Sequence, residues 1–593
     1  MNGKVPTRTE AVWAIAGSIA FAIFFGFPIL RHLTSADPPY YLLSDWDFSM
    51  ELHWVAYYTI THFHQFPLWD PYKCGGMPAL GNPQSAAVTP FILLELIFGP
   101  MIGLRLSIIA HIALGFGGAY LLARLMGISP IGAVACAVAF AGSSWFYLHI
   151  EVGHICFLPG AYLPWPPALL YMSVEERKMT PAAIAGLFMA LMMTEGGAHP
   201  LVWAGLIMAL LAPLLAIEYG SIIPLEALVV AAVFTVGFGA VKLLPGLDFT
   251  GVHARVESPF EFHSPRFFPK ELFLHDQNPN LGTPGLQWGF YEYGAYIGIV
   301  VAILAIAGML FQFRRAWPWI IIAAVMLGMA VGYFGTYSPW FLIHKVPFYA
   351  SLREPERWLA PFTLATGVLA GFGAEAIGQI DVAWAPFIAI CIVALVLCDD
   401  WIVSTRYLHY IVEGPDAYAV TATDVLRPPP RSFRQSDIPD LGAHMYLAAK
   451  ADVGTLRCYD VPGLVPPVYP LGYQQVGYQG EQHLLGAGTV KLTRWTPNAL
   501  TFDVDAPTTT AVIVNQNYSH NWSIMKGHGM VMSNDGLLAV LIPSGRQTIE
   551  ITYRGTSFWQ GLAITLATSV TFIILWLWER RRAEGAVDVP ALG

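Results

Sequence analysis

"AAVTPFILLELIFGPMIGL", Ala86 to Leu104, decides how the rest of the chain is oriented. If this stretch crosses a bilayer, every later loop inverts. The basic segments "EERK" (Glu175 to Lys178), "FRR" (Phe313 to Arg315) and "ERRR" (Glu579 to Arg582) then fall outside. If it only dips into the interface, all three fall inside together with Arg124, which satisfies the positive-inside bias at every short basic loop. The second arrangement is the one expected, with 86–104 re-entrant or interfacial and its backbone covered by neighbouring protein.

The composition makes a bilayer the relevant solvent. Of 593 residues, 55% are hydrophobic and only 12% charged, with a mean hydropathy of +0.53. Ordinary globular chains carry roughly 25% charged residues, so a soluble enzyme is excluded and a polytopic α-helical membrane protein is expected. The net charge of -9 leaves no basic footprint for nucleic acid. The six cysteines, Cys74, Cys136, Cys156, Cys391, Cys398 and Cys458, show no CxxC pair, and four of them fall in apolar spans as packing residues.

The first apolar stretch, Ala11 to Leu30, follows a short head carrying Lys4 and Arg8, which sets that end in the cytoplasm. No small-x-small cleavage site follows, so it reads as an uncleaved anchor. Further spans are expected at 103–123, 131–149, 155–173, 181–195, 199–217, 224–245, 293–313, 317–335, 358–380, 384–402 and 557–578. That gives about twelve crossings by the ~20-residue criterion. Both termini are expected in the cytoplasm, in the plasma (inner) membrane. The expected organisation is a membrane domain over 1–403, a β-rich part over 404–556, and a final helix with a cytoplasmic tail over 557–593.

Two outer loops belong to the membrane domain: 32–102, and 246–290, which is rich in His, Pro and charge and too long for a plain connector. The 404–556 part is read as an extracytoplasmic sandwich-like domain. Short alternating segments such as "ALTFDVDA" (Ala499 to Ala506), "TAVIVNQNY" (Thr510 to Tyr518) and "RQTIEITYR" (Arg546 to Arg554) have the period of two that marks strands.

In this topology the odd polar residues gather at the outer helix ends. They are Asp45 and Asp47; His149, Glu151 and His154 in "HIEVGH"; Glu195 and His199 in "TEGGAHP"; and Arg353 and Arg357 in "SLREPERW". Each has a plainer reading. Either aspartate serves equally as a cap for a helix starting near Trp46. The His149–His154 group reads as interfacial polar residues, metal ligands or substrate contacts. Glu195 and His199 lie one helical turn apart unless "GGA" makes a tight turn. The arginines form an ion-pair cluster or an anion clamp, since guanidinium grips phosphate oxygens bidentately.

Taken together, these groups narrow the chemistry. Carboxylates accept the proton of a nucleophilic hydroxyl, arginines stabilise a departing phosphate, and a lipid-facing groove holds an isoprenoid tail. That combination describes glycosyl transfer from a lipid carrier. No GxxxxGK loop and no Rossmann fingerprint occurs, in keeping with a donor that is not a nucleotide sugar.

The acidic first outer loop, "FPLWDPYKCGGMPALGNPQSAAVTP" (Phe66 to Pro90), "LPGAYLPWPPALL" (Leu158 to Leu170), "YIG" (Tyr296 to Gly298), "LREPERW" (Leu352 to Trp358) and the tail from "NYSHNWSIMKGHG" (Asn517) through "SGRQTIEITYRGTSFWQG" (to Gly561) follow one another in order. In this order the sequence resembles the YfhO-like membrane proteins of the GT-C glycosyltransferase superfamily over most of its length. The resemblance implies a GT-C fold, a polyprenyl-phosphate-sugar donor, and an Asp of the first outer loop as general base at the extracytoplasmic face. By its place after the first helix that base is Asp45, with Asp47 second; the chain departs from many relatives in having Trp46 between two acids, which leaves the choice between them open. The acceptor is expected to be an extracytoplasmic glycan, lipid or protein. The sequence names no cofactor and leaves a divalent metal open. A multi-span transporter or a lipid or polysaccharide flippase is the competing class, and an assembly or anchoring protein the third. Transporters place ionisable residues near the bilayer midplane, whereas here the candidates lie at one face.

Overall fold

The protein's structure is a computed structural model that describes residues 7–34, 45–251, 256–278, 285–347, 349–408, 432–437, 445–457 and 467–587. Parts of both outer loops, the 409–431 stretch and Cys458 therefore lie outside the described residues. Ten helices among the described residues are long and apolar enough to cross a membrane, from Arg8–Phe25 to Thr556–Arg582, and Thr180–Thr194 is a shorter apolar one. The expected span at 155–173 is instead a 3-10 segment, Ile155–Tyr162, followed by the helix Trp165–Glu176. Pro159 and Pro164 account for the break, since each lacks an N–H and crowds the preceding turn, while Pro166 and Pro167 sit in the first turn of the second helix, where proline is tolerated.

The Ala86 to Leu104 stretch does not form a span of its own. It holds the seven-residue helix Ile92–Phe98, about 10 Å long at 1.5 Å per residue, and the chain turns at Gly99 into the long helix Pro100–Leu125. Buried pairs hold it down. Glu95 meets His53 at 2.8 Å, and Thr89 donates to Glu195 at 3.0 Å.

Within the bundle, helices approach through small residues. Gly298–Phe311 crosses Leu359–Gly378 so closely that a Cβ on Gly308 would lie 2.0 Å from the Leu369 carbonyl, and one on Gly373 would lie 1.9 Å from that of Leu304. Such contact gains dispersion energy where lipid tails supply no hydrophobic drive between helices.

The C-terminal region is β-rich, as its alternation predicts. Strands Met530–Asn534, Leu537–Ile542, Thr510–Asn517 and Gln482–Leu484 form one antiparallel sheet in that order, and Thr489–Thr496, Ala499–Ala506, Gly545–Tyr553 and Trp522–Lys526 form the other. Leu500, Phe502, Val504, Val512, Val540 and Ile549 fill the shared core. Trp69 of the first outer loop completes it, packed against Tyr553 and Trp522 at 5.0 and 5.5 Å between ring centres. The chain then returns to the membrane through Thr556–Val587. Glu579 on that last helix accepts from the Met179 and Thr180 N–H groups at 2.6 and 3.1 Å, satisfying free donors at the start of Thr180–Thr194.

Cys74 is disulfide-bonded, a bond that spacing alone does not reveal. Cys136, Cys156, Cys391 and Cys398 are free thiols.

Candidate functional site

The turn after the Ser144–Glu151 helix is pressed against the start of the Trp46–Phe63 helix. Trp46 Nε1 donates to the Glu151 carbonyl at 2.9 Å, Ser49 Oγ to that of Gly153 at 2.7 Å, and the Asp45 N–H to that of Val152 at 3.1 Å. Gly153 has φ +84, and a Cβ there would lie 2.3 Å from the Trp46 nitrogen, so only glycine permits this approach. The contact brings "HIEVGH" and "DWD" into one site, although a hundred residues of sequence separate them.

Asp45 occupies the N-cap position of the Trp46–Phe63 helix, yet its side chain makes no capping bond. Its Oδ2 instead meets His154 Nε2 at 2.8 Å. His154 Nδ1 faces His149 Nδ1 at 2.9 Å, one donating and the other accepting. His149 stacks on Phe157 at 4.0 Å, and the Arg357 guanidinium lies 5.4 Å from the same ring. Arg357 Nη1 donates to His199 Nε2 at 3.2 Å, while its Nε pairs with Glu292. The Tyr291 ring stands edge-on to His154 at 5.7 Å. A continuous chain thus runs from Asp45, whose side chain is 28% exposed, to Arg357, which is 9% exposed.

Five residues singled out in the sequence therefore meet: Asp45, His149, His154, His199 and Arg357. Phe157, Tyr291 and Glu292 join them without having been expected. A signal for Glu292 existed, since a carboxylate at the start of an apolar helix is costly unless paired.

The other candidates lie elsewhere. Asp47 is 1% exposed and takes the N–H groups of Met445 and Tyr446, each at 2.9 Å, at the start of the helix Met445–Lys450. This is a capping geometry, but the helix capped belongs to the C-terminal region. Glu195 is buried in a separate network, accepting from Thr89 and from the Tyr162 hydroxyl at 2.9 Å and meeting His111 at 2.8 Å. "GGA" makes a tight turn after Glu195, and a new helix begins at Ala198, so Glu195 and His199 do not share one helical face. Glu151 is buried with its Oε2 unbonded, and only its carbonyl reaches the cluster.

Pro355–Trp358 is a 3-10 turn that runs directly into the helix Leu359–Gly378, and Glu354 before it is in a left-handed conformation. Arg357 lies inside that turn, and Arg353 precedes the left-handed residue. Arg353 lies in the field of Glu261, whose carboxyl is pushed up to about 7 chiefly by burial and then by Glu354. Glu354 is itself fixed by Trp288 Nε1, which donates to it at 2.9 Å.

Within the first outer loop, Glu51, Asp70 and Lys73 are all buried, with Lys73 Nζ 3.8 Å from Glu51 and 3.6 Å over the Phe48 ring. Burial first, and the Asp70 carboxylate second, raise the Glu51 carboxyl well above its ordinary value. Among the described residues no three His, Cys, Asp or Glu side chains are placed to share a metal ion.

No protein-family model and no curated protein matches the sequence. Similarity is found to solved structures. Arabinofuranosyltransferase AftD from Mycobacteria is 16% identical, with 76% of this chain and 32% of that one covered and a TM-score of 0.43. The apo oligosaccharyltransferase of Archaeoglobus fulgidus is 12% identical, covering 76% and 65%, with a TM-score of 0.46. ArnT from Cupriavidus metallidurans bound to undecaprenyl phosphate is 13% identical, covering 76% and 86%, with a TM-score of 0.40. The chain spans about a third of the length of the first and just under two thirds of the second.

Proposed function

We propose that the protein is a GT-C-type membrane glycosyltransferase of the YfhO-like kind. It moves a sugar from a polyprenyl-phosphate donor to an extracytoplasmic glycan, lipid or protein. The observation that carries the reading is the Asp45 carboxylate, which leaves its own helix uncapped to meet His154 in the chain leading to Arg357. An acid and a cation linked through two imidazoles and the Phe157 ring, at the ends of helices, suit a reaction with a proton to remove at one end and negative charge to stabilise at the other.

In that reaction Asp45 takes the proton of the acceptor hydroxyl as its oxygen bonds to the anomeric carbon. The carbon–oxygen bond to phosphate breaks, and its electron pair leaves on the lipid phosphate beside Arg357. His154 and His149 orient the base, His199 and Glu292 hold the guanidinium, and Asp47 is an anchor. The large intramembrane cavity of about 540 Å³ between Arg8–Phe25, Pro130–Ala141 and Ala385–Ser404 is lined by apolar side chains such as Phe21, Phe24 and Phe116. Such an apolar lining suits an isoprenoid tail. The disulfide at Cys74 fits an oxidising, extracytoplasmic side for the first outer loop.

The test is mass spectrometry of lipids that co-purify with the protein, followed by turnover of the identified polyprenyl-phosphate sugar in proteoliposomes. Asp45→Asn should lower turnover by about 10²–10⁴-fold, the usual worth of a positioned base. Arg357→Lys keeps the charge but loses the planar fork, and should lower turnover more than donor binding. Near-normal turnover in Asp45→Asn would remove the base from the mechanism. For orientation, an impermeant thiol probe should label a cysteine placed at Arg546 and miss one placed at Lys178.

A further inference from the structure

A second cavity lies at the junction of the membrane helices and the β-rich region, and none of its lining residues belongs to the Asp45 cluster. It encloses about 230 Å³ between the first outer loop at Leu68–Gly81, the end of the Ile223–Thr250 helix, the turn Asn517–Asn521, and the segment from Tyr553 to Phe558. Its walls are aromatic: Trp69, Phe249, Tyr518, Tyr553 and Phe558.

One edge is polar and converges on a single carboxylate. Asp248 accepts from Asn521 Nδ2 at 3.2 Å and from Ser557 Oγ at 3.3 Å, and His520 Nε2 lies 3.6 Å away. The His520 side chain is 65% exposed and Tyr518 is 37% exposed, so this edge opens to water while the Trp69 and Phe558 rings stay buried.

The walls are fixed before any ligand arrives. Asn517 donates to the carbonyls of Cys74 and Gly76 at 2.8 and 3.1 Å, and Trp69 Nε1 to Gln516 at 2.8 Å. Phe249 closes over Gly81, where a Cβ would lie 2.8 Å from it. A rigid apolar pocket with a few convergent polar groups is the usual form of a small-ligand site.

The chemistry of the lining selects the ligand. An anion is disfavoured, because Asp248 is present and no Lys or Arg is among the described lining residues. An alkyl chain would leave the polar edge unused. A metal cation would meet Asp248 as the one carboxylate among the described lining residues, with aromatic rings where further oxygen ligands are needed. A sugar ring answers both sides, with C–H faces against aromatic rings and hydroxyls that donate to Asp248 and accept from its neighbours. The volume lies below the ~300–1,000 Å³ of pockets that enclose drug-sized ligands, and so suits one ring.

We propose that this junction cavity binds a single neutral sugar residue, held by Tyr518 and the Asp248–His520–Asn521 group at its open edge. Binding here needs no donor lipid and no turnover, so its test stands apart from the transferase chemistry. The full-length protein in nanodiscs is mixed with methyl glycosides of glucose, galactose, mannose and N-acetylglucosamine, and saturation transfer to ring protons is read by NMR. At least one glycoside should receive saturation, with choline and methyl phosphate receiving none. Transfer should fall at least about fivefold in Tyr518→Ala and in Asp248→Asn, the scale of one lost ring contact or charge-assisted hydrogen bond. Tyr518→Phe should retain it. Absence of transfer to all four glycosides, unchanged transfer in both loss variants, or stronger transfer to choline would each overturn the proposal.

Discussion

Replacing Asp47 by Ala separates the two aspartates that the sequence leaves side by side. The Asp47 carboxylate takes two backbone N–H groups, from Met445 and Tyr446, at 2.9 Å each, in a site only 1% exposed. A hydrogen bond to a charged group contributes about 1.5–3 kcal/mol, so losing both costs about 3–6 kcal/mol of docking for the helix Met445–Lys450. At 1.4 kcal/mol per tenfold, even the lower figure raises the open population more than about a hundredfold. Hydrogen–deuterium exchange in nanodiscs reads this directly, as faster exchange of the amides at 445–450. The sandwich strands Ala499–Ala506 and Gly545–Tyr553, paired with each other, keep their protection. Asp45→Asn leaves the same amides slow, because its partner is His154. Unchanged exchange at 445–450 in Asp47→Ala would refute the anchor, and with it the division of labour between the two acids.

Glu195→Gln should destabilise the membrane helices by about 1–3 kcal/mol by disturbing the His111–Tyr162–Thr89 network, while turnover per folded molecule is unchanged; thermal melting and turnover on the same sample check this. Gly308→Val should cost at least about 1–3 kcal/mol through overpacking against the Leu369 carbonyl, seen as a lost monodisperse peak in size-exclusion chromatography. Burial pushes the Glu481 carboxyl up to about 7 from an ordinary 4.5, so the folded state holds a proton that the unfolded state has released. Its stabilisation is complete below pH 4.5 and lost as pH rises through 7, and Glu481→Gln should flatten that fall and raise the melting temperature at pH 8.

The membrane architecture is legible because hydropathy and loop charge act at every residue. The basic loops predict that Ala86 to Leu104 lacks a span of its own, and its seven-residue helix agrees. The sandwich is equally legible, since strand alternation is a local property. The candidate site is legible only in its parts. Which aspartate faces which partner depends on Gly153 admitting the Trp46 backbone, a contact between segments more than a hundred residues apart. The expected pairing of Arg353 with Arg357 needs both to follow the helical span that starts at Pro355, whereas Arg353 precedes Glu354, whose left-handed conformation turns the chain before that span begins. Glu195 has the residue type of a site and the surroundings of a core, and only its partners distinguish the two.

The stitching of the first outer loop to the β-rich region sets the order in which the molecule can be assembled. The Leu68 N–H finds its acceptor on Asn498, 430 residues further along the chain, and Asn517 reaches Cys74 across 443 residues. At translation rates of about 5–20 residues per second, that loop waits about 20–90 seconds for its partner. During this interval Trp69 lacks its hydrophobic neighbours, and Asp47 lacks the helix it caps. The early loop therefore stays incompletely packed until the β-rich region has been made. A ribosome that stalls before the last two strands leaves a membrane-inserted protein with its outer face unfinished.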